Sequence, residues 1–276
     1  MGRVLVLGSL NVDLVTSVER HPRPGETLLG EGLRRLAGGK GANQAVAATE
    51  AGAPVSMVGC VGDDSGGHAY RERLARKGID VSGVRVVADL PSGHALIAVD
   101  DSGENSIIVI PGANAAVGEQ EVEAASLLGP GDILLLQLEV PIPAVCAAAR
   151  RAHSRGARVL LNIAPYAAVP ADVVALADPL IANEHEAAAL AESGARPASL
   201  LVTFGANGVS WDGQNTSAVP VPRHLVVDTT GAGDAFCGAL AAALARGLSD
   251  RDALAVALEA GAAAVQHAGA QRDPDL

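Results

Sequence analysis

The segment ILLLQLEVPIPAVCAAARRAHSRGARVLLN, residues 133–162, decides the fold. It begins with the apolar run Ile133–Leu136, continues through the Ala-rich run Ile142–Arg155, and ends with the apolar run Arg158–Asn162. Short apolar runs bounded by turn residues are typical of buried strands, whereas the Ala-rich run has the length and composition of a helix. The segment therefore predicts a strand, a helix and a second strand parallel to the first.

The same alternation extends along most of the chain. Short apolar runs predict strands at Arg3–Leu7, Val55–Cys60, Pro179–Ala182 and Ser199–Thr203. Ala-rich or amphipathic runs predict helices at Gly41–Ala51, Gly66–Lys77, Glu184–Glu192, Ala232–Arg246 and Asp250–Gln266. Strands that alternate with helices predict an α/β fold, in which a mostly parallel sheet carries helices on both faces.

Two segments, residues 10–36 and 92–111, interrupt this alternation. In the second, His94–Asp100 and Asn105–Ile110 flank the turn Asp101-Ser102-Gly103, which predicts a β-hairpin. The first contains alternating Val and Leu residues before the turn Pro22-Arg23-Pro24-Gly25. We expect the two segments to form a small separate sheet that covers a site as a lid or pairs with another subunit.

The composition excludes several classes of protein. The chain has 276 residues, of which 49% are hydrophobic, so it can bury a sizeable core and is not disordered. A net charge of −11 and an aromatic content of 2% do not suit a nucleic-acid-binding surface. Cys60, Cys146 and Cys237 form no metal-binding spacing, which suggests buried thiols in a reducing compartment. With no signal sequence and no membrane-spanning run, we expect a cytoplasmic protein without a membrane partner.

Phosphate chemistry is indicated by Val226-Val227-Asp228-Thr229-Thr230-Gly231-Ala232-Gly233-Asp234-Ala235-Phe236, where a β run meets a Gly-rich turn that opens a long helix. The first N–H groups of a helix have no partner within the helix, and glycines let a phosphate approach them. Asp234 would then accept a proton from an attacking hydroxyl. Two alternatives remain at this point: Asp234 is a helix cap, or Gly231 begins a dinucleotide-binding GxGxxG motif, although Phe236 stands at its third glycine position. No GxxxxGK[ST] motif is present.

Sugar chemistry is indicated by Asn11-Val12-Asp13 and by Gly38-Gly39-Lys40-Gly41-Ala42-Asn43-Gln44. Carboxylates and amides such as Asp13 and Asn43 can bind vicinal hydroxyls, but Asn, Asp and Gly are also ordinary turn residues. Ligand sites in open α/β sheets lie at the carboxyl ends of strands, where the sequence also places Glu139, Asn162 and Asn183.

Together, Gly38–Ala48 and Asp228–Asp234 resemble the two signature regions of the PfkB family of sugar kinases, in the form carried by its ribokinase branch. The resemblance extends over the chain through Gly8–Asp13, Pro24–Thr27, Gly62–Asp64, Pro111–Asn114, Gln137–Glu139 and Asn162–Pro165. It implies a ribokinase-like three-layer αβα sandwich with a mostly parallel central sheet and a small β-sheet lid. Residues 1–276 would form a single catalytic domain, with the lid at about 10–36 and 92–111.

The resemblance also implies an activity, which is the ATP-dependent phosphorylation of the 5-hydroxyl of D-ribose to give ribose 5-phosphate and ADP. Asp234 would be the catalytic base, and Gly231, Ala232 and Gly233 would form the anion hole. The ribose site would comprise Asn11, Val12, Asp13, Gly39, Lys40, Gly41, Ala42, Asn43, Glu139 and Asp234. The ATP site would comprise Asn183, Thr203, Phe204, Gly205, Ala206, Asn207, Gly208, Gly233, Asp234 and Leu258.

Two metal ions and a homodimer are implied in the same way. Glu186 would bind Mg²⁺ through water, and a monovalent cation, usually K⁺, would bind near Asp228, Thr230, Ala264, His267, Gly269 and Asp273. Asp273 stands where a small hydroxyl residue is common in the family, and the chain stops at Leu276, where relatives usually continue into another helix. The β lid would form the homodimer. The alternatives are a related kinase for deoxyribose, fructose or a nucleoside, and a catalytically weak sugar-binding sensor.

Overall fold

A computed structural model describes residues 1–276 and contains two β-sheets flanked by helices. The strands are β1 (Val4–Leu7), β2 (Asn11–Val18), β3 (Glu31–Gly38), β4 (Val55–Gly62), β5 (Asp80–Val87), β6 (Gly93–Asp100), β7 (Asn105–Ile110), β8 (Ile133–Leu136), β9 (Arg158–Asn162), β10 (Ala177–Asn183), β11 (Leu200–Thr203), β12 (Val209–Trp211) and β13 (Gln214–Thr216). The helices are α1 (Lys40–Glu50), α2 (Ser65–Arg76), α3 (Glu119–Val122), α4 (Ile142–Ser154), α5 (Ala171–Val174), α6 (Glu184–Ser193), α7 (Ala232–Ala245) and α8 (Asp250–Ala264). None of the helices combines the length and apolar character that crossing a bilayer requires.

The larger sheet has nine strands in the order β13-β12-β11-β10-β9-β8-β1-β4-β5. All neighbours from β11 to β5 are parallel, and only the pairs β11–β12 and β12–β13 are antiparallel. The chain builds outward from β1 to β4 and β5, and then returns to build outward from β8 in the other direction. The strand order thus reverses between β1 and β8, which is where open α/β sheets bind ligands.

Apolar side chains fill both faces of this sheet, because its strands are buried on both sides. One core cluster lies between the sheet and α1, α2, α7 and α8, and includes Val6, Met57 and Leu240. The other lies between the sheet and α4 and includes Leu7 and Leu161. The predicted three-layer α/β fold is therefore confirmed.

The predicted small sheet is also confirmed. It has four strands in the order β3-β2-β6-β7, with β2 parallel to β6 and the outer pairs antiparallel. The hairpin of β6 and β7 has the predicted bounds within one residue. Several large apolar side chains of this sheet and its connecting segment are exposed, namely Leu29, Leu33, Leu96, Ile107, Ile108, Val109 and Ile110.

Other local predictions were incomplete or wrong. Strands β5, β12 and β13 and the short helices α3 and α5 were not predicted from the sequence. The expected β run at Val226–Val227 is not a strand; the Val227 N–H donates instead to the carbonyl of Val265, at the end of α8. Both valines are exposed, because the segment lies on the surface rather than in the sheet.

Candidate active site

The carboxyl ends of β1 and β8 carry the first group of polar side chains. The Ser9 hydroxyl donates to the Glu139 carboxylate over 2.5 Å, and the backbone N–H of Lys40 donates to the same oxygen over 2.9 Å. The Gly41 N–H donates to the Ser9 hydroxyl oxygen over 3.2 Å. Glu139 therefore joins the ends of both central strands to the start of α1, which Gly39 caps.

Asp13 lies next to this group on β2. Its Oδ1 is buried and has no hydrogen-bond partner in the protein. Burial, with a smaller contribution from the charge of Glu139, raises the pKa of Asp13 to about 7. A buried carboxylate oxygen without a partner is costly, so this atom is suited to accept hydrogen bonds from a ligand's hydroxyls.

Asn11 is held in place from the other side of the small sheet. Its Oδ1 accepts a 2.7 Å hydrogen bond from the side chain of Asn114, which in turn accepts from the Leu10 N–H. Val12 and Ala42, two further residues expected in the sugar site, are fully buried. Ala42 belongs to the apolar core, and its N–H already donates to the Ser9 carbonyl over 2.9 Å.

Asp234 lies in the first turn of α7 and is only 7% exposed. The cap of this helix is Gly231, in the left-handed conformation and without a side-chain hydrogen bond, so Asp234 is not the cap. The segment before Gly231 is not a strand either, and the dinucleotide motif requires one. Both alternatives considered for Asp234 are therefore excluded.

Two neighbouring residues of α1 bind the Asp234 carboxylate instead. Asn43 Nδ2 donates to Oδ2 over 3.0 Å, and Gln44 Nε2 donates to Oδ1 over 2.9 Å. Each oxygen thus accepts one hydrogen bond from a neutral side-chain amide, and its other lone pairs have no donor from the protein. The geometry is that of a group poised to take a proton.

The turn before Asp234 is open toward a ligand. Gly231 has a φ of 78°, and a Cβ there would lie 2.5 Å from the Cα of Ala270, so no other residue fits without displacing the backbone. A Cβ on Gly233 would meet nothing within 4 Å. The Ala232 N–H donates to the Thr229 carbonyl over 3.3 Å, whereas the N–H groups of Gly233 and Asp234 lie in the first turn, where the helix offers no acceptor four residues earlier. The turn can therefore accept an anion.

Lys40 has stronger electrostatic interactions with the site than a solvent-exposed lysine would have. Burial alone would lower the pKa of its ammonium group, but the carboxylates of Asp234, Glu139 and Glu186 outweigh burial and raise the pKa. The ammonium group is therefore charged and interacts electrostatically with these three acids, without forming a direct ion pair with any of them. It is a cation within reach of the same site.

Asn183 and Glu186 form a reciprocal cap at the start of α6. The Glu186 N–H donates to Asn183 Oδ1, and the Asn183 N–H donates to Glu186 Oε2, each over 2.9 Å. The helix cap considered from the sequence is thus present. Glu186 is nevertheless buried, so it is not the solvated acid that a surface cap would be.

The expected nucleotide loop follows β11. The Thr203 hydroxyl donates to the Ala182 carbonyl, and the Phe204 N–H donates to Gly208 across a 3-10 turn at Gly205–Asn207, which contains Ala206. Beyond it, a pocket of about 470 Å³ lies between β13 and α8. Its lining includes Asn215, Thr216, Ser217, Val219, Arg251, Leu254, Ala255, Leu258 and Glu259. Leu258 therefore lines a cleft large enough for a small-molecule ligand.

The segment expected to bind a monovalent cation is organised by Asp228. Its carboxylate accepts the N–H of Thr230 over 2.8 Å and of Gly269 over 2.9 Å. Burial would raise the pKa of Asp228, but these two N–H donors outweigh it and lower the pKa. The His267 N–H faces the Ala264 carbonyl at 3.5 Å, and Asp273 has a left-handed φ of 50°. No three side chains among His, Cys, Asp and Glu lie together in a geometry that could hold a metal ion.

Comparison with known proteins places this site in a family. A model of the pfkB family of carbohydrate kinases matches residues 1–275. The chain belongs to the PfkB family. Its PfkB relatives include the ribokinase of Bacillus subtilis, which is 38% identical over 98% of this chain and 95% of its own length.

Solved PfkB structures have the same fold. The ribokinase of Thermotoga maritima superposes with a TM-score of 0.90 at 31% identity, covering 99% of this chain and 96% of its own. The ribokinase of Arabidopsis thaliana, solved with ribose and ATP, gives 0.87 at 32% identity and covers 98% of this chain and 95% of its own. The chain is therefore a PfkB kinase with the ribokinase fold.

Several polar residues of this PfkB site were not assigned a role from the sequence. They are Ser9, Gln44, Asn114, Gln137 and Gln271, all of which are buried. In the sequence, Gln44 and Gln137 are amide residues next to apolar runs. Such an amide can bind backbone, solvent or ligand equally well, so the sequence does not identify its partner. Only the packing of α1 against α7 decides between these partners.

Proposed function

We propose that this protein transfers the γ-phosphoryl group of ATP to the 5-hydroxyl of D-ribose, giving ribose 5-phosphate and ADP. The observation that carries the proposal is Asp234, a buried carboxylate at the open start of α7 that is bound only by two neutral amides. The similarity to ribokinases, one of them solved with ribose and ATP, supports ribose as the acceptor.

Asp234 acts as the general base. The ribose 5-hydroxyl gives its proton to the carboxylate as its oxygen attacks the γ-phosphorus, and the bond to the β-phosphate oxygen breaks to release ADP. The N–H groups at Gly231, Ala232 and Gly233 stabilise the negative charge on the transferred group. The Lys40 ammonium adds a positive charge to the site, which its electrostatic interaction with Asp234, Glu139 and Glu186 supports.

The sugar binds between the two sheets. Asp13, with its buried and unpartnered Oδ1, accepts hydrogen bonds from ribose hydroxyls, and Asn11, Asn43 and Glu139 complete the polar lining. The backbone of Gly39 and Gly41 lets the sugar approach the start of α1. The small sheet closes over the sugar and excludes water, which limits wasteful hydrolysis of ATP.

ATP lies with its adenine in the pocket beside Leu258 and its phosphates along the loop Thr203–Gly208 toward Gly233. This path leads from the pocket beside α8 to the start of α7, where backbone N–H groups of the helix bind the γ-phosphate. The volume of about 470 Å³ suits a ligand of nucleoside size.

The oxygen atoms near Asp228 and Glu186 suit hard cations. Glu186 uses Oε2 in the helix cap, which leaves Oε1 for a hydrated Mg²⁺, with Asn183 beside it. Asp228, whose pKa is lowered, together with the carbonyls near Thr230, Ala264, His267, Gly269 and Asp273, offers oxygen ligands to K⁺. Such ions neutralise phosphate charge when bound.

Exposed apolar residues and buried thiols support the proposed assembly and location. The exposed apolar residues of the small sheet, such as Ile107 and Ile108, support a homodimer through the lid. The three buried free cysteines support a reducing, cytoplasmic location. Residues 1–276 act as a single catalytic unit, with 10–36 and 92–111 as its lid.

The test is a panel of acceptors. ADP formation is measured with D-ribose, 2-deoxyribose, fructose and adenosine, each with and without KCl, and the product is identified by ³¹P NMR. We expect the highest kcat/KM with ribose, and ribose 5-phosphate as the product. A higher kcat/KM with another acceptor would reassign the substrate, and calorimetric binding of ribose without ADP formation would indicate a sugar-binding sensor instead.

A further inference from the structure

Two buried glutamines, Gln137 and Gln271, contact the residues that bind Asp234 without contacting Asp234 themselves. Gln137 is 0% exposed and Gln271 is 2% exposed. Gln137 follows strand β8, and Gln271 lies beyond α8 near the end of the chain. The two residues therefore converge on the same carboxylate from distant parts of the sequence.

The first chain of amides runs through Asn43. Gln271 Nε2 donates to Asn43 Oδ1 over 2.9 Å, and Asn43 Nδ2 donates to Asp234 Oδ2 over 3.0 Å. The second runs through Gln44. Gln137 Nε2 donates to Gln44 Oε1 over 2.6 Å, and Gln44 Nε2 donates to Asp234 Oδ1 over 2.9 Å. Each oxygen of the carboxylate thus ends one such chain.

The direction of these bonds matters because a side-chain amide has two nearly identical ends. If the amide of Asn43 or Gln44 turned over, a carbonyl oxygen would face the carboxylate of Asp234, and both groups can only accept. A donor on the far side of each amide opposes this rotation, and for Gln44 so does Asn162 Oδ1, which accepts from Gln44 Nε2 over 3.3 Å. Gln271 is the only donor to Asn43 Oδ1, and Gln137 is the only donor to Gln44 Oε1.

The orientation of Gln271 is itself fixed. The Arg73 guanidinium, which can only donate, donates to Gln271 Oε1 over 3.3 Å. The Tyr70 hydroxyl donates its proton to the Gly38 carbonyl over 2.6 Å, so its oxygen is left to accept from Gln271 Nε2 over 3.0 Å. The NH₂ end of Gln271 must therefore face Asn43.

We infer that Gln137 and Gln271 are positioning residues for the reaction, because they hold the amides of Asn43 and Gln44 with their N–H groups on Asp234. Each carboxylate oxygen keeps one fixed donor, and its other lone pairs stay directed at the incoming hydroxyl. This inference rests on the proposed role of Asp234 as the base.

The test replaces each glutamine by an unbranched side chain of similar length that cannot donate. We expect Gln137→Met and Gln271→Met to lower kcat about tenfold each, which is part of the 10²–10⁴-fold that a general base contributes. The KM for ATP should stay within about twofold in both variants, because neither side chain lies in the nucleotide pocket. The matched control is Gln120→Met on α3, an exposed glutamine distant from the site, for which kcat should be unchanged.

A double-mutant cycle separates positioning from general stability. If Gln137 acts through Gln44, then Gln44→Ala combined with Gln137→Met should lose no more kcat than Gln44→Ala alone, and Asn43→Ala with Gln271→Met should behave in the same way. Thermal unfolding of each variant, followed by circular dichroism, reports any structural loss. If a methionine variant does not fold, Gln137→Glu or Gln271→Glu keeps the size of the side chain but replaces the neutral donor with an ionisable acceptor, and a fall in kcat at least as large is expected.

Two results would overturn the inference. One is a kcat within twofold of the parent enzyme in both methionine variants, and the other is a full multiplication of losses in both cycles. If Asp234→Asn is inactive in the same assay, such a result removes only the positioning role. If Asp234→Asn is fully active, the proposed base itself is wrong.

Discussion

Gly238 on α7 faces the backbone carbonyl oxygen of Gln44 on α1, and a Cβ on Gly238 would lie 2.3 Å from that oxygen. It would also lie 2.9 Å from the backbone N of Ala48. The close approach of these two helices brings Gln44 to the Asp234 carboxylate, since one residue belongs to each helix.

Gly238→Ala should therefore impair the site from a distance. The added methyl group pushes α1 from α7, because backbone atoms rather than flexible side chains oppose it. We expect a loss of unfolding free energy of about 1–3 kcal/mol and a fall in kcat of about tenfold or more. Urea unfolding and initial rates measure both. The control is Gly247→Ala just after α7, where a Cβ meets nothing within 4 Å but φ is 83°, so backbone strain should cost stability and leave the catalytic geometry intact.

The buried carboxylate of Asp13 should make ligand-free stability depend on pH. The pKa rises from its ordinary value of 3.8 to about 7 on folding, so the folded state binds more protons than the unfolded state between these values. Stability is then lost as the pH rises from about 4 to 7. Asp13→Asn removes this loss, and its advantage over the parent protein should grow over that range, to at most roughly 4 kcal/mol.

Denaturant unfolding at pH 5 and pH 8 measures this effect. Asp89→Asn, which changes an exposed acid without an ion-pair partner, is the control and should follow the parent protein at both pH values. Parallel curves for Asp13→Asn and the parent would contradict the raised pKa. The same variant should lose most of its activity with ribose, since Asp13 is proposed to bind the sugar hydroxyls.

The pocket beside Leu258 should control the affinity for ATP. Leu258→Glu places a negative charge in a cleft proposed to hold adenine. We expect the KM for ATP to rise about tenfold or more, while the KM for ribose stays within about twofold, because the sugar binds elsewhere. A rise in the KM for ribose alone would mean that the pocket does not bind the nucleotide.

Asp228 should control activation by K⁺. In Asp228→Asn, one oxygen and the negative charge are lost, so the N–H groups of Thr230 and Gly269 can no longer share one carboxylate. Stimulation by KCl, measured at constant ionic strength with choline chloride, should disappear. A variant that retains the full stimulation would show that the cation binds elsewhere.

Much of the fold was predictable because the physical signals are local. Local composition alone predicts the strand β8, the helix α4 and the hairpin of β6 and β7. Their observed bounds agree with the predicted ones within one or two residues. Strand β5 was missed, since its sequence, DVSGVRVV, is mixed and half-exposed and gives no strong period. Val226 and Val227 were misassigned because β-branched residues favour strands only where a neighbouring strand can pair with them.

The site was less predictable for a related reason. Asp234 and Asn43 stand out in Gly-rich segments, but the partners of Asn43 and Gln44 lie far along the chain at Gln271 and Gln137. Hydrogen bonds over such separations depend on how helices and strands pack, and a single glutamine in the sequence does not indicate its partner.

The role of Asp234 is tested most directly by Asp234→Asn, which keeps the size of the side chain and removes its ability to take a proton. Single-turnover phosphorylation of ribose is measured with saturating ATP, Mg²⁺ and K⁺, alongside ribose binding by calorimetry. We predict that the rate falls by at least about 100-fold while ribose still binds. A rate close to that of the parent enzyme would contradict the assignment of Asp234 as the base.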